Sequence, residues 1–235
     1  MMQKLADELN EKLQDKSAEE VIRYFLDKYP NKVTLGSSLG AEDQVLLDIM
    51  SKCCNNFSVF TLDTGRLFPE TYDLIDVTNK KYGMAIKVFF PDSKQVEEMI
   101  NSKGINLFYD SIENRKLCCH IRKIEPLKKA LPGNEVWVTG LRKDQSLYRF
   151  YTKLVEWDSN HNIIKVNPLL NWTEKDVWVY IKQHDVPYNP LHDKGYPSIG
   201  CQPCTRAIKS GEDFRAGRWW WEVSENNECG LHVKE

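Results

Sequence analysis

The sequence predicts an α/β fold built around a doubly wound, mostly parallel β-sheet. Short runs of apolar, β-branched and aromatic residues alternate with helical segments between residues 33 and 139, which is typical of βαβ units. Polar, glycine-containing segments follow three of these runs, where the carboxyl ends of parallel strands hold ligands. With 235 residues, of which 41 % are hydrophobic, the chain can bury a sizeable core.

The first half of the chain supplies most of the predicted βαβ elements. Apolar residues at helical spacing predict one or two amphipathic helices over residues 3–29, and Pro30 ends this stretch. The predicted strands are residues 33–35, 57–62, 86–90 and 136–139. Helices are predicted near residues 42–51, 68–81 and 93–101, and a further helix carries Cys118 and Cys119.

The second half begins with a predicted β-hairpin formed by residues 153–157 and 163–166. Residues 173–176 have the pattern of a capping box, which predicts a helix over residues 174–184. Glycine and proline are frequent from Pro187 to Gly217, so no regular structure is predicted there. We expect one domain, because no repeat or linker forces a second.

The composition excludes several classes of protein. A formal net charge of −2 argues against a nucleic-acid partner, which usually leaves a basic footprint. No apolar run approaches the roughly 18 residues that cross a membrane, and the N-terminus lacks the pattern of a secretory signal. We therefore expect a cytoplasmic protein, in which close cysteine pairs bind metals or react more often than they form disulfides.

Three polar segments at predicted strand ends point to a nucleotide site. They are residues 36–43, 62–66 and 139–146. Small residues let backbone amides and hydroxyl groups approach an oxyanion, and a following helix offers the positive end of its dipole. A turn with a helix cap is the alternative for any one segment, but three in succession favour phosphate binding.

Six of the seven cysteines form close pairs. Cys201 and Cys204 are separated by two residues, which fits zinc, an iron–sulfur cluster or a redox dithiol. Cys118 and Cys119 are adjacent in a predicted helix, so their side chains point about 100° apart. One zinc ion suits that divergence poorly, whereas a [4Fe–4S] cluster offers separate irons. We interpret the third pair, residues 53–54, as packing residues.

The seventh cysteine, Cys229, is a candidate nucleophile near the end of the chain. Its thiolate is the reactive form, and Glu228 would raise its pKa whereas His232 and upstream arginines could lower it. The alternative is an idle surface thiol. Upstream, Arg215 and Arg218 are three residues apart, so they can share a helical face and bind phosphate or sulfate, or form ordinary salt bridges.

Three consecutive tryptophans, residues 219–221, cannot all face a core from one helix or strand. Some of them are expected to cover a ligand or an interface. The alternative is that they anchor the C-terminal segment by packing.

Together these residues resemble the assimilatory adenylyl-sulfate (APS) reductases, which are grouped with the phosphoadenylyl-sulfate (PAPS) reductases and, more distantly, the PP-loop ATP pyrophosphatases. The resemblance covers residues 33–232. Its motifs are a phosphate loop at 37–43, an adenosine-side motif at 62–65, an arginine loop at 139–146, two cysteine motifs at 118–123 and 200–205, and C-terminal motifs at 217–222 and 228–232.

The resemblance implies a fold of the adenine-nucleotide α-hydrolase (PP-loop) type with a C-terminal lid. Residues 1–30 would form an N-terminal helical segment, 31–186 the nucleotide-binding α/β part, and 187–235 the second cysteine pair and a mobile catalytic tail of the same domain. A [4Fe–4S] cluster would be held by Cys118, Cys119, Cys201 and Cys204. We hypothesise that this cluster is an electrostatic and structural element rather than an electron carrier.

The resemblance also implies a thiol mechanism. Cys229 would attack the sulfur of APS and expel AMP, and thioredoxin or a similar dithiol would release sulfite from the resulting thiosulfonate. Lys123, four residues after Cys119, would lie one helical turn away, between cluster and substrate. The implied substrate-binding residues are Ser37, Ser38, Gly40, Asp63, Thr64, Gly65, Lys123, Arg142, Arg215, Arg218 and His232.

Three alternatives stay open at this point. Reduction of PAPS, or of both nucleotides, is the nearest, although relatives restricted to PAPS generally lack the four cluster cysteines. A PP-loop ligase or ATP pyrophosphatase would not need Cys229. A non-catalytic cluster-bearing sensor or nucleic-acid binder would need a basic patch and no substrate loops. We expect a homo-oligomer with no nucleic-acid or membrane partner.

Overall fold

The computed structural model describes residues 2–54, 57–146 and 149–222. Its centre is a six-stranded sheet with the strand order β3-β2-β1-β4-β6-β5. The strands are β1 Val33–Gly36, β2 Ser58–Leu62, β3 Lys87–Phe89, β4 Val136–Val138, β5 Val155–Asp158 and β6 Ile163–Val166. β1 pairs in parallel with β2 and β4, and β4 with β6, whereas β5 and β6 form an antiparallel hairpin. The predicted α/β class and mostly parallel sheet are confirmed.

Eight α-helices are described, and they lie close to the predicted ranges. They are α1 Met2–Leu13, α2 Ala18–Lys28, α3 Ala41–Cys53, α4 Pro69–Tyr82, α5 Ser93–Lys103, α6 Ile112–Cys119, α7 Glu125–Ala130 and α8 Glu174–Gln183. A capping box on Ser17 divides the N-terminal stretch into two helices, because its side chain satisfies a free amide of a new first turn. The capping box predicted at Thr173 is confirmed.

Contacts within the chain define two compact units. Unit 1 contains Met1–Thr61, Glu70–Lys87 and Leu131–Asn189, and unit 2 contains Leu62–Pro69, Val88–Ala130 and Pro190–Glu235. The N-terminal helices therefore belong with most of the sheet in unit 1. Asn10 of α1 exchanges two hydrogen bonds with the backbone of Val155 on edge strand β5, at 2.5 and 3.0 Å, and so covers backbone groups that an edge strand would otherwise expose.

Unit 1 places two of the candidate loops side by side. The register aligns Leu35 of β1 with Val138 of β4 and Val138 with Val166 of β6, and all three side chains are buried in the main core. The chain runs outward from β1 through β2 in one direction and from β4 in the other. The loops after β1 and β4 thus flank the point where the strand order reverses, which is the usual ligand site of such sheets.

Unit 2 is built around the cysteine-bearing helix and irregular segments. α6 and α7 are joined by a π-helical turn over His120–Ile124, in which the Glu125 amide donates to the His120 carbonyl. The expectation of a regular α-helical turn between Cys119 and Lys123 is therefore wrong. Single π-turns inside helices frequently mark functional sites.

The small core of unit 2 contains Met99, Leu107, Phe108, Cys204 and Trp219. Downstream, a short 3₁₀ turn covers Gln202–Cys204, and an isolated bridge pairs Thr205 with Arg218. Among the described residues, no helix is long and apolar enough to span a membrane.

Candidate active site

The loop after β1 begins at a position that has room only for glycine. A Cβ atom on Gly36 would lie 2.5 Å from Trp137 Nε1 and 3.0 Å from Phe60 Cζ. The absence of a side chain lets these two large residues pack beside the end of the strand. The backbone amide of Ser37 then donates to the Phe60 carbonyl at 2.8 Å, which fixes where the loop leaves the sheet.

Internal hydrogen bonds shape the rest of this phosphate loop, residues 37–43. The Leu39 amide donates to Ser37 Oγ at 3.1 Å, and Leu39 adopts a left-handed conformation with φ 60°. The amide and the hydroxyl group of Ser38 both donate to Asp43 Oδ2, each at 2.7 Å. α3 follows with Gly40 at its N-cap, so the first-turn amides of a helix point toward the loop. This arrangement fits an oxyanion.

Asp43 is the most unusual group of the loop. It is 7 % exposed, and burial raises the pKa of its carboxyl group to about 6 against the opposing effect of hydrogen bonds from Ser38 and Gly40. The neighbouring Glu42 carboxylate raises this pKa further. Asp43 belongs to the predicted phosphate loop, but no role is predicted for it from the sequence. The sequence feature that could have indicated a special role is the presence of an acidic residue in a segment expected to bind anions.

The loop after β4 approaches the phosphate loop closely enough to require a second glycine. A Cβ atom on Gly140 would lie 2.6 Å from Asp43 Oδ1 and 2.9 Å from Glu42 Cβ. Gly140 therefore brings the arginine loop, residues 139–146, against the start of α3. These two loops, both assigned to the predicted nucleotide site, lie side by side because they follow paired parallel strands.

Arg142 is held by partners within unit 1. Its side chain is 1 % exposed, and its Nε lies 2.8 Å from Glu42 Oε1. Its Nη1 lies 3.2 Å from Asp144 and donates to the Trp172 carbonyl at 3.3 Å. These contacts link the arginine loop to α3 and largely balance its charge. Direct contact of Arg142 with a substrate stays a prediction.

The adenosine-side motif lies in unit 2 and forms a tight polar turn. The Gly65 amide donates to Asp63 Oδ1 at 2.7 Å, and Gly65 has φ 69°, which favours glycine. The Arg66 amide donates to Thr64 Oγ1 at 3.2 Å. Thr64 Oγ1 also lies 3.3 Å from Cys201 Sγ, so this turn is in contact with the second cysteine pair.

The four predicted ligand cysteines all lie in unit 2, and none of them forms a disulfide. Cys118, Cys201 and Cys204 pack in the same small core. Burial raises the pKa of the Cys204 thiol to about 12, and the thiols of Cys201 and Cys119 add to that rise. Burial also raises the pKa of Cys118, with a contribution from Cys201 that Arg122 opposes. Thiols that affect one another in this way lie near one another.

These cysteines do not form a ready-made site for a single ion in the described part of the chain. Within residues 2–54, 57–146 and 149–222, no three His, Cys, Asp or Glu side chains converge as ligands of one metal ion. Four sulfurs around one zinc would lie about 3.8 Å apart, given Zn–S bonds of about 2.3 Å. A cluster with one iron for each cysteine spreads its ligands farther apart. The donor set, four clustered thiols without carboxylate or imidazole ligands, fits such a cluster.

Arg122 is a further residue of this region that the sequence analysis did not assign. It is 6 % exposed, and its Nη1 donates to the Thr64 carbonyl at 2.5 Å. Its positive charge lowers the pKa of the Cys118 thiol, against the larger effect of burial. Lys123 lowers the pKa of Cys204 by its charge. The sequence feature that could have indicated a role for Arg122 is the Arg-Lys dipeptide that follows the cysteine pair. The π-turn over His120–Ile124 determines where both side chains lie.

The segment with Arg215 and Arg218 is a set of turns, so the two arginines do not share a helical face. Arg218 is 6 % exposed, and its guanidinium lies 4.8 Å from the centre of the Trp219 ring. Its Nη1 donates to the Ile199 carbonyl at 3.3 Å. Arg215 is half-buried, and its amide donates to Asp213. Sulfate or phosphate binding by either residue stays a prediction.

The three tryptophans have different environments, as expected. Trp219 is 1 % exposed and Trp220 is 41 % exposed, while Trp221 is half-buried and packs against Phe108. Trp219 serves as an anchor, and Trp220 offers an aromatic surface. The predicted nucleophile Cys229 and its neighbour His232 lie outside the described residues.

Comparisons with known proteins identify the family. Residues 32–207 match the phosphoadenosine phosphosulfate reductase domain. Two similar proteins are each named adenosine 5'-phosphosulfate reductase. That of Allochromatium vinosum is 50 % identical over 87 % of this chain and 80 % of its own length. That of Burkholderia cepacia is 51 % identical over 86 % of this chain and 81 % of its own length.

Solved structures extend the comparison to the fold. The PAPS reductase of Candida auris in a phosphate complex has a TM-score of 0.74 and 31 % identity, covering 88 % of this chain and 97 % of its own. The FMN adenylyltransferase of Candida glabrata has a TM-score of 0.57 at 16 % identity, covering 92 % and 78 %. The second match shows a shared fold alone. Because residues 32–207 match this domain and the two relatives share about half of their residues with this chain, the chain belongs to the phosphoadenosine phosphosulfate reductase family.

Proposed function

We propose that this protein reduces APS to sulfite and AMP in sulfate assimilation, with thioredoxin or a similar dithiol as the reductant. The observation that carries the proposal is the set of four neighbouring cysteines in unit 2, none of which forms a disulfide. Reductases restricted to PAPS generally lack that set. The two relatives at about half identity, which are named adenosine 5'-phosphosulfate reductase, support the same substrate.

The phosphate loop would hold the phosphate side of the substrate. Ser37, Ser38 and Gly40 lie at the start of α3, where hydroxyl groups and first-turn amides offer donors to an anion. The arginine loop contacts this loop through Gly140. The turn at Asp63, Thr64 and Gly65 would meet the adenosine, an assignment that rests on the motif.

The four cysteines of unit 2 would hold a [4Fe–4S] cluster, which supplies fixed charge beside the substrate when bound. Arg122 would stabilise the thiolate form of the sulfur ligands, since its charge lowers the pKa of Cys118. Thr64 Oγ1 lies 3.3 Å from Cys201 Sγ, so the adenosine-side turn is in direct contact with a ligand cysteine. Within unit 2, this contact would hold the adenosine-side turn at a fixed distance from the cysteines that bind the cluster.

The chemical step would be a thiol displacement. The Cys229 thiolate attacks the sulfur of APS, the bond between that sulfur and the bridging oxygen breaks, and AMP leaves with the electron pair. Lys123, Arg215, Arg218 and His232 would neutralise the phosphosulfate, because an anion repels a thiolate. Removal of one such donor typically lowers a rate by about 10²–10³-fold.

The product is released by dithiol exchange. One thiolate of the reductant attacks Cys229 Sγ in the Cys–S–SO₃⁻ intermediate, and sulfite departs with the S–S electron pair. The second thiol of the reductant then cleaves the mixed disulfide and restores the Cys229 thiol. The two electrons come from the dithiol, which becomes a disulfide. This chemistry suits the cytoplasm, where thioredoxin keeps thiols reduced.

PAPS remains the second candidate substrate, because the Candida auris PAPS reductase is 31 % identical over 88 % of this chain. Sulfite release from APS and from PAPS, measured with anaerobically purified protein, thioredoxin and thioredoxin reductase, separates the two. We expect release from APS, its loss in Cys229→Ser, and retention in the matched control Cys53→Ser. Equal activity of Cys229→Ser and wild type would overturn the proposal.

A further inference from the structure

The phosphate loop already contains an anion of its own. The Asp43 carboxylate accepts hydrogen bonds from the amide and hydroxyl group of Ser38, each at 2.7 Å. These are donors that the loop would otherwise present to a phosphate. Two further loop amides are also engaged, since Ser37 donates to the Phe60 carbonyl and Leu39 to Ser37 Oγ.

The surroundings of Asp43 make its negative charge costly once a second anion arrives. Its carboxyl group is buried, and Gly140 of the facing loop brings only backbone atoms against it. The charged groups nearby in unit 1 are Glu42, on the same helix, and Arg142, from the facing loop. The Arg142 guanidinium is paired with Glu42 at 2.8 Å.

A dianionic phosphosulfate placed at the start of α3 would therefore face a carboxylate that competes for the same donors. Two outcomes are possible: the substrate avoids Ser38, or Asp43 loses its charge and gives up its hold on Ser38. The second is favoured because Ser38 is exposed whereas Asp43 is buried. Ser38 can therefore turn to a ligand without movement of the core.

We propose that Asp43 is a positioning residue which holds the phosphate loop in its anion-binding shape while the site is empty, and which takes up a proton when the substrate binds. The inference rests on the proposed function, because it needs an anionic nucleotide at this loop. The alternative is that Asp43 has a purely structural role as a helix cap. Asp43 is the third residue of α3, and an acidic residue at that position commonly accepts a hydrogen bond from the N-cap amide.

Proton uptake separates these roles. APS binding to the Cys229→Ser protein, which cannot form the thiosulfonate, is measured by calorimetry in buffers of different ionisation enthalpy. The phosphosulfate group has no proton that titrates near neutral pH, so exchange with buffer reports on the protein. We expect uptake of roughly half to one proton per APS at pH 7, and an affinity that falls by up to about tenfold per pH unit above pH 6.

The matched variants are Asp43→Asn and Asp76→Asn on the Cys229→Ser background. Asp43→Asn keeps the shape of the side chain, and we expect it to lose most of the proton uptake and to flatten the pH dependence. Asp76 is an exposed residue of α4 paired with Lys80, and its replacement should change neither. If Asp43 were only a helix cap, Asp43→Asn would change the stability of the protein and leave the proton uptake on APS binding unchanged.

A second measurement does not depend on the folding of a variant. Infrared difference spectra of protein labelled with ¹³C-aspartate should show a protonated aspartic-acid band when APS is added. APS binding without proton uptake and without this band overturns the inference and leaves the proposed function intact. No APS binding, together with no sulfite release by the wild type, overturns both.

Discussion

Arg115 and Glu222 form a buried, bidentate ion pair at the end of the described chain. Arg115 Nε and Nη2 each donate to a Glu222 carboxylate oxygen at 2.9 Å, and the two side chains are 2 % and 3 % exposed. Arg115 belongs to α6, three residues before Cys118, and its guanidinium also stacks 4.7 Å from the Trp219 ring centre. The pair therefore anchors the segment that leads to Cys229 onto the helix that carries the first cysteine pair.

Breaking this pair on one side should destabilise unit 2. Glu222→Leu leaves the Arg115 charge buried without its carboxylate, which typically costs about 3–5 kcal/mol. Amide hydrogen exchange of α6 reports this loss as faster exchange. The double replacement Arg115→Met with Glu222→Leu should recover much of the stability, because no buried charge is left alone. Normal protection of α6 in Glu222→Leu would contradict the anchoring role.

Loss of one ligand cysteine should abolish the cluster. We expect Cys204→Ser, and likewise Cys119→Ser, to lose the iron, the acid-labile sulfide and the visible absorbance of the anaerobically purified protein. The wild type should contain close to four iron ions and four sulfide ions per chain. Cys53→Ser is the matched control, since Cys53 is a partly buried residue at the end of α3. Full iron content in both ligand variants would contradict the assignment.

Gly140→Ala should weaken APS binding while the fold persists. The new methyl group would lie 2.6 Å from Asp43 Oδ1, which forces the two loops apart. We expect at least about a tenfold rise in Kd for APS in the Cys229→Ser background, or about 1.4 kcal/mol. Gly104→Ala is the control. It strains a turn at φ 87° that ends α5, so it should affect stability and leave the affinity unchanged.

The stability of α3 should depend on pH through Asp43. Its pKa rises from 3.8 to about 6 on folding, so its contribution to stability is present below pH 3.8 and is lost as the pH rises through 6. Between pH 5 and pH 7 the wild type should lose about 1.3 kcal/mol relative to Asp43→Asn. Amide hydrogen exchange of α3, corrected for intrinsic rates, measures the difference. Parallel behaviour of the two proteins over this range would contradict a raised pKa.

Much of the fold was predictable because its determinants are local. β1 and β4 are short apolar runs bounded by polar residues, and Thr173 starts α8 with a recognisable cap. The loops after β1 and β4 could be placed together from the strand order expected of βαβ units. The cysteine pairs were visible as spacing alone, and the resemblance supplied their joint role.

The remainder depended on contacts that sequence spacing does not encode. The π-turn after Cys119 differs from an α-turn by one residue per hydrogen bond, and no local propensity distinguishes the two. The capture of Ser38 by Asp43 depends on the left-handed Leu39 between them. Arg218 was expected on a helical face. Instead, its backbone forms a bridge with Thr205, thirteen residues earlier in the chain, and its guanidinium lies against the Trp219 ring.

The proposed thiol mechanism requires a covalent intermediate on Cys229. Intact-protein mass spectrometry of anaerobically purified protein, incubated with APS or with PAPS in the absence of thioredoxin, tests it most directly. We predict a gain of one SO₃ group from APS, located on Cys229 by peptide mapping and removed on addition of reduced thioredoxin. Protein with an intact cluster that gains no SO₃ group from either nucleotide would contradict the thiol mechanism.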